Sequence, residues 1–278
     1  FTIKEKIKVA TILGTLQSTL TNFPYLRSIW KTNTEEERLL GVSLTGVCDC
    51  PAIINATEEE IRELRNYAVE INEDWAHKLN ISASTAITTI KPSGTVSQLV
   101  NSASGIHGRF AEYYIRTVRG DNKDPITDFM KMSGVPSEPC FMKPDSTTIF
   151  SFPIESPKGS IMADDLSAIQ QLQLWLKLKQ NWAEHSVSIT VYVKEDEWLE
   201  VGAWVYDNFD HLTGVSFLPY SEHSYEQAPY QPVSEKEYNA ALSEFPSSIN
   251  WNELSVYEQE DNTEGAQTLA CTAGGCEI

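Results

Sequence analysis

Positive charge is scarce in this sequence, which has 21 Lys and Arg against 39 Asp and Glu among 278 residues and a formal net charge of −18. This acidity argues against nucleic acid or an anionic membrane as the main partner, because both are bound through positive charge. Long apolar runs are also missing, and none approaches the roughly 20 residues of a membrane-spanning helix. The sequence therefore predicts a globular protein with neither of these partners.

Cysteine is sparse as well, with five residues, an odd number that fits a reducing cytoplasm better than a disulfide scaffold. Cys48 and Cys50 lie in an apolar stretch, and we expect buried core thiols there, because a free cysteine behaves as a small hydrophobe. A zinc half-site would need C-x-x-C and a second ligand pair, and neither accompanies the C-x-C of Cys48 and Cys50; the fifth cysteine is Cys140. The sequence therefore predicts a cytoplasmic location.

The pair Cys271 and Cys276 differs because it lies in a polar C-terminal segment. Gly274 and Gly275 between them permit the tight reversal that a disulfide would need. Closing so short a loop stabilises little, so the pair suits thiol–disulfide exchange better than stapling. Half of a metal site and an incidental pair remain open. We divide the chain into a folded part, 1–245, and a mobile redox tail, 246–278.

The folded part alternates short apolar strands with amphipathic helices, which predicts an α/β protein with parallel strands covered by helices. Capping-box patterns predict helices that begin at Thr34, Thr57 and Ser234. Further helices are predicted at 164–184 and 194–208. Strands are predicted at 42–47, 86–90, 113–118, 147–154, 187–193 and 215–218. Such folds place ligands beyond the carboxyl ends of their strands.

One turn after a predicted strand has the residues of an anion site. In the turn Pro92-Ser93-Gly94-Thr95, the last three residues offer consecutive backbone N–H groups, and Ser93 and Thr95 add two hydroxyls, so the turn can hold phosphate oxygens. Four cations could add positive charge nearby: Lys91, Arg109, Arg116 and Arg119. An ordinary strand-to-helix turn remains open, and the spacing is not that of a Walker loop.

Two histidines lie in motif-like surroundings. His107 follows Ser104-Gly105-Ile106, and His185 follows Trp182-Ala183-Glu184. Nothing near His107 in the sequence pairs its ring with a carboxylate, and we interpret His185 in the same way. We therefore expect both histidines to be structural rather than catalytic.

Several strings together resemble the C-terminal half of the catalytic chain of adenosylcobalamin-dependent ribonucleotide reductase, closest to its ribonucleoside-triphosphate type. The matching strings follow one another in the family's order over essentially the whole chain. They are Gly41-Val42-Ser43-Leu44-Thr45-Gly46, Ile90 to Thr95, Ser104 to His107, Tyr113-Tyr114-Ile115-Arg116, Asn181-Trp182-Ala183-Glu184-His185, Asp196-Glu197-Trp198-Leu199, Gly214 to Tyr220 and the terminal C-x4-C.

The resemblance implies the second half of a ten-stranded α/β barrel with a flexible C-terminal tail. Pro92 to Thr95 match the family's substrate-phosphate loop. Cys271 and Cys276 match its shuttle pair, which re-reduces an active-site disulfide and is itself reduced by a thioredoxin-like protein. In the family, adenosylcobalamin generates a thiyl radical that abstracts a ribose hydrogen, and a cysteine pair supplies the electrons that remove the 2′-hydroxyl.

The family's radical-loop string Asn-Pro-Cys-Gly-Glu does not occur in this sequence. We therefore expect the chain to need an N-terminal half that carries the radical cysteine, and to be inactive alone. Two alternatives stay open, a stand-alone thiol-redox or metal-binding protein and a non-catalytic nucleotide-binding subunit.

Overall fold

The structure, a computed structural model, describes residues 2–94, 96–220 and 225–259. The chain forms two compact units. The first unit comprises residues 1–108 and 164–220, and the second comprises 109–163 and 221–278. Both contain helices and strands, so the predicted mixed α/β class is confirmed.

The first unit contains seven helices with at least four residues among the described residues. Two of them begin with complete capping boxes at Thr2 and Thr57, and a third begins with one at Ser167. The helices are α1 (Ile3–Gln17), α2 (Ser28–Glu37), α3 (Pro51–Ile54), α4 (Glu58–Leu79), α5 (Val96–Leu99), α7 (Ala168–Asn181) and α8 (Trp198–Asp207).

Four short strands of the first unit run parallel, as the sequence predicts. They are β1 (Val42–Ser43), β2 (Thr88–Thr89), β6 (Ser188–Val193) and β7 (Gly214–Pro219). β1 pairs with β2 and β6 pairs with β7, and a parallel bridge between Ile90 and Val187 joins the two pairs. The spatial order is therefore β1-β2-β6-β7, with all carboxyl ends at one edge.

The helices α4 and α7 pack together, and α7 also contacts β6 and α8. Trp175 and Trp182 of this layer are fully buried and donate their indole N–H groups to the carbonyls of Val187 (3.0 Å) and Thr89 (2.9 Å). Each tryptophan thus fills the core and also holds a strand in place. Along β6, buried Ile189, Val191 and Val193 alternate with less buried Ser188, Thr190 and Tyr192, which gives the sheet a second, more polar face.

The second unit departs from the predicted parallel pairing. Its strands are β3 (Tyr113–Asp121), β4 (Ser137–Pro139), β5 (Thr147–Glu155) and β8 (Tyr230–Pro232), in the antiparallel order β4-β5-β3-β8. The helix α6 (Pro125–Met132) between β3 and β4 has only eight residues. The parallel prediction was wrong here. The strand after α6, β4, does not pair with β3 but with β5, and residues 140–146 between β4 and β5 are too few for a parallel crossover.

Two more helices complete the second unit, α9 (Glu235–Glu244), which begins at the predicted capping box of Ser234, and α10 (Leu254–Tyr257). Trp251 and Tyr257 contact the buried ring of Phe129 in α6, at centroid distances of 5.4 and 5.6 Å. The first part of the segment that we assigned to a tail therefore packs on this unit. Residues 260–278 lie outside the described residues, and the division at 245 stays a prediction.

The capping box expected at Thr34 was wrong. Thr34 and Glu37 lie in the last turn of α2, and Arg38 follows in the left-handed conformation (φ 48°) with its N–H bonded to the Thr34 carbonyl. A capping box is a local pattern, and here it coincides with the end of a helix rather than the start.

No helix within the described residues is long and apolar enough to cross a membrane.

Candidate functional site at the carboxyl ends of the parallel strands

The candidate site lies where the strands of the first unit end. Since β1, β2, β6 and β7 run parallel, the segments after them begin at the same edge of the sheet. Ligands in open α/β sheets bind at this edge. The predicted residues Pro92, Ser93 and Gly94 follow β2 at this edge, and Thr95 lies outside the described residues.

The turn after β2 is held by hydrogen bonds of Ser93. Its N–H donates to Ser104 Oγ (2.7 Å), and its Oγ accepts from the Ser97 N–H (2.7 Å). Ser97 Oγ in turn donates to the Ser93 carbonyl (2.6 Å). The turn is therefore fixed before any ligand arrives, but the Ser93 N–H already has a partner inside the protein.

A second segment, residues 102–108, supports this turn from the protein side. The Ala103 N–H donates to Asp49 Oδ2 (2.6 Å), and the Ala103 carbonyl accepts from Thr45 Oγ1 (3.0 Å) and from the Gly46 N–H (2.8 Å). Thr45 and Gly46 belong to the segment after β1, so the loops after neighbouring strands are tied together. No local sequence pattern marks Thr45, Asp49 or Ser104 as supports, although Thr45 and Ser104 stand in strings that match the family.

Gly105 in this segment lies against the backbone after β2. It has a φ of +56°, and a Cβ placed there would lie 3.0 Å from the Lys91 carbonyl oxygen. Only glycine allows both this conformation and this close approach.

His107 is buried, with both ring nitrogens hydrogen-bonded to backbone groups. Nε2 accepts from the Thr190 N–H of β6 (3.1 Å), so Nδ1 must carry the proton that it donates to the Ser104 carbonyl (3.0 Å). Burial lowers the pKa of His107 below its usual 6.5. These contacts agree with the structural role expected for this histidine. His185 Nε2 is buried without a hydrogen-bond partner among the described residues.

The four predicted cations have different positions. Lys91 Nζ donates to Ser186 Oγ and Ser188 Oγ, both at 3.0 Å, along the more polar face of the sheet. The three arginines belong to the second unit. Arg109 is buried with Nη1 3.5 Å from the Tyr114 hydroxyl, Arg116 stacks on Tyr230 at 4.3 Å, and Arg119 donates to the Gln227 carbonyl. Their contribution to a phosphate site stays a prediction.

The described cysteines do not form a redox or metal centre. Cys48 is 1% exposed, donates to the Ile106 carbonyl (3.3 Å), and has its pKa raised to about 12 by burial, so it remains a thiol. Cys140 is buried, Cys50 is half-buried, and all three are free. No group of three or more His, Cys, Asp or Glu among the described residues could hold a metal ion. Cys271 and Cys276 lie outside the described residues.

Comparison with family models returned no match. Among curated proteins, an adenosylcobalamin-dependent ribonucleoside-triphosphate reductase of Lactobacillus gasseri is 25% identical over 311 aligned positions, covering 99% of this chain and 41% of the relative. The enzyme of the same name from Euglena gracilis is 28% identical over 89% of this chain and 35% of its own length. A probable one from Dictyostelium discoideum is 35% identical over 63% of this chain and 23% of its own length.

A solved structure shows the same fold. The crystal structure of a B12-dependent (class II) ribonucleotide reductase superimposes with a TM-score of 0.75 at 23% identity, covering 91% of this chain and 39% of that one. The chain therefore spans well under half the length of the proteins it matches. Over nearly its whole length it is similar to a part of the adenosylcobalamin-dependent ribonucleoside-triphosphate reductases, and the resemblance that its motifs predict is confirmed.

Proposed function

We propose that this chain forms part of the catalytic component of an adenosylcobalamin-dependent ribonucleoside-triphosphate reductase, which reduces ribonucleotides to 2′-deoxyribonucleotides for DNA synthesis. The observation that carries the proposal is the similarity to such a reductase over 99% of the chain. The four parallel strands of the first unit are in keeping with a portion of a ten-stranded α/β barrel, which we include in the proposal.

In this proposal the turn Pro92 to Thr95 binds the substrate phosphates. Two observations support this role. The turn lies at the carboxyl end of β2, and hydrogen bonds with Ser97 and Ser104 hold it rigid. Because the Ser93 N–H is used within the protein, we assign the phosphate contacts to the Gly94 N–H and to the Ser93 hydroxyl, whose hydrogen remains available while its oxygen accepts from Ser97.

Cys271 and Cys276 supply reducing equivalents in this proposal. Each turnover removes the ribose 2′-hydroxyl as water, while a dithiol near the substrate becomes a disulfide. The Cys271–Cys276 dithiol then reduces that disulfide by exchange, becomes a disulfide itself, and is reduced again by a thioredoxin-like protein. The two electrons thus pass from the external reductant to the substrate.

Adenosylcobalamin would supply the radical in the assembled enzyme. In the first unit, His107 does not suit a ligand to cobalt, because its ring nitrogens are occupied by Ser104 and Thr190. No metal-binding cluster occurs among the described residues. In this proposal the described part of the chain contributes substrate positioning through the turn at Ser93 and Gly94, and we place the radical cysteine on an N-terminal half that acts with it.

The proposal is tested with the double variant Cys271→Ser, Cys276→Ser in the assembled reductase. Turnover supported by thioredoxin should stop, whereas turnover supported by a small dithiol should be largely kept, because a small reductant reaches the interior disulfide directly. Cys50→Ser is the matched control, since Cys50 is the half-buried thiol of the described part. Deoxyribonucleotide formation is the measurement.

Equal loss of turnover with both reductants would contradict the shuttle role. Stoichiometric zinc that disappears in Cys271→Ser would instead favour a metal-binding protein. Nucleotide binding without any reduction in the complete assembly would favour a non-catalytic subunit.

A further inference from the structure

The first helix exposes a second set of apolar residues on the side that faces away from the core. Its buried residues are Ile7, Thr11 and Thr15, and they face α4, where Asn72 donates to Thr15 Oγ1 (3.0 Å). The opposite side presents Val9, Leu13 and Leu16, followed past the helix end by Leu20. Their exposed fractions are 48, 60, 40 and 72%.

This arrangement is a regular stripe rather than scattered exposure. The positions 9, 13 and 16 follow the spacing i, i+4, i+7, which places them on one side of α1, and Leu20 lies exposed just past its end. A surface helix normally turns such a stripe inward and leaves threonines outside. Here the threonines are buried, and each donates its hydroxyl to the carbonyl four residues earlier. The helix therefore has the composition of one that is covered on both sides.

The second helix also exposes apolar residues. No residue of α2 is buried, although it carries Ile29 and Trp30, which are 48 and 54% exposed. Arg38, just after α2, ties it to the end of α1 by donating to the Ser18 carbonyl (2.7 Å). A ten-residue helix without a buried face is marginal in water, because helices in proteins are stabilised mostly by their packed side.

The charge of this region is opposite to that of the rest of the chain. Residues 1–38 contain six Lys and Arg against four Asp and Glu, whereas the remaining 240 residues contain 15 against 35. The region thus combines an apolar stripe with a slight positive charge in a strongly acidic chain. An acidic partner surface with its own apolar face is complementary to it.

We infer that the stripe of Val9, Leu13, Leu16 and Leu20, together with Ile29 and Trp30 of α2, is the surface on which the remaining part of the reductase packs. This inference rests on the proposed function. The occupant follows from the comparisons, because the chain spans only 41% of the Lactobacillus gasseri relative and most of such a protein lies outside it. Large exposed apolar surfaces mark such interaction sites.

The test is oxidative footprinting of the assembled reductase that contains this chain, read residue by residue by mass spectrometry. Leu13 and Leu20 are compared with Leu199 of α8, a chemically identical side chain that is 91% exposed. We expect labelling of Leu13 and Leu20 to be lost in the assembly while labelling of Leu199 persists. Labelling of all three in proportion to their exposure, or equal protection of all three, would overturn the inference.

Charge insertion supplies a second measurement. Leu13→Asp with Leu20→Asp should weaken association of this chain with the rest of the reductase at least about tenfold, because truncating a central contact costs more than about 1.4 kcal/mol. Leu199→Asp is the control and should leave association unchanged. If the leucines instead become protected in this chain alone as its concentration rises, a second copy covers the stripe and the inference is wrong.

The two proposals fail separately. A wild-type assembly that protects Leu13 and Leu20 but forms no deoxyribonucleotide would overturn the proposed function and keep the surface. An assembly that reduces ribonucleotides while those leucines are labelled would overturn the surface inference and leave the proposed function standing.

Discussion

His107 is a neutral imidazole whose protonation state is fixed by its neighbours. Nε2 accepts a hydrogen bond from the Thr190 N–H, so a proton on Nε2 would point at another donor. Burial works in the same direction and lowers the pKa of His107. A histidine of this kind holds a strand and a loop together only in its neutral form.

We predict a pH-dependent stability that His107 causes. In the unfolded chain its ring binds a proton below about pH 6.5, whereas the folded chain resists protonation until a lower pH. The free energy of unfolding should therefore fall as the pH drops below about 6.5, since the unfolded state then binds more protons. Denaturant titrations at several pH values measure this slope.

The variant His107→Ala should flatten that part of the slope. It should also cost about 1–3 kcal/mol at pH 7, because the Thr190 N–H is left without its acceptor. His77→Ala, at an exposed position of α4, is the matched control and should keep the wild-type slope. An unchanged slope in His107→Ala would show that other groups cause the pH dependence.

At the scale of elements, capping-box patterns in the sequence predicted helix starts, because local hydrogen bonds decide where a helix begins. The boxes at Thr57 and Ser234 correctly marked the starts of α4 and α9, because a hydroxyl and a carboxylate three residues apart satisfy the first helical N–H groups. The same signal at Thr2 would have found α1. The box at Thr34 failed because Arg38 ends the helix there.

Strand direction was predictable in only one of the two units. Long helices between apolar strands indicated the parallel strands of the first unit correctly. The pairing of β3 with β5 depends on contacts between distant residues such as Tyr113 and Glu155, which no local pattern encodes. The same dependence on contacts between distant residues decides which parts of the candidate site could be predicted. The turn at Ser93 was predictable from its residues, whereas its supports Asp49 and Ser104 depend on how the chain returns to it.

Gly105 gives a prediction at this scale. Gly105→Ala should destabilise the first unit by about 1–3 kcal/mol, because it forces a side chain into a left-handed conformation 3.0 Å from the Lys91 carbonyl. Gly202→Ala in α8 meets nothing within 4 Å and should be neutral or stabilising by up to about 1 kcal/mol. Thermal unfolding of both variants measures the contrast. Equal effects would mean that the approach of Gly105 to Lys91 has no energetic importance.

For the whole molecule, the proposed function gives the clearest expectation. This chain with adenosylcobalamin and a dithiol should form no deoxyribonucleotide, because Asn-Pro-Cys-Gly-Glu does not occur in its sequence. Adding the N-terminal half that we propose should give turnover. Product analysis by chromatography checks both mixtures, and turnover by the single chain would contradict the expectation.

The first unit is made of two stretches of chain, with residues 109–163 between them. During synthesis, β1 and β2 leave the ribosome long before β6, which joins them through Ile90 and Val187. Until then Ile87 and Ile90, which are fully buried in the finished fold, have no second half of the sheet to cover them. The nascent polypeptide therefore passes through a stage in which apolar side chains of an incomplete sheet are exposed. At that stage, chaperone binding or aggregation competes with folding of the first unit.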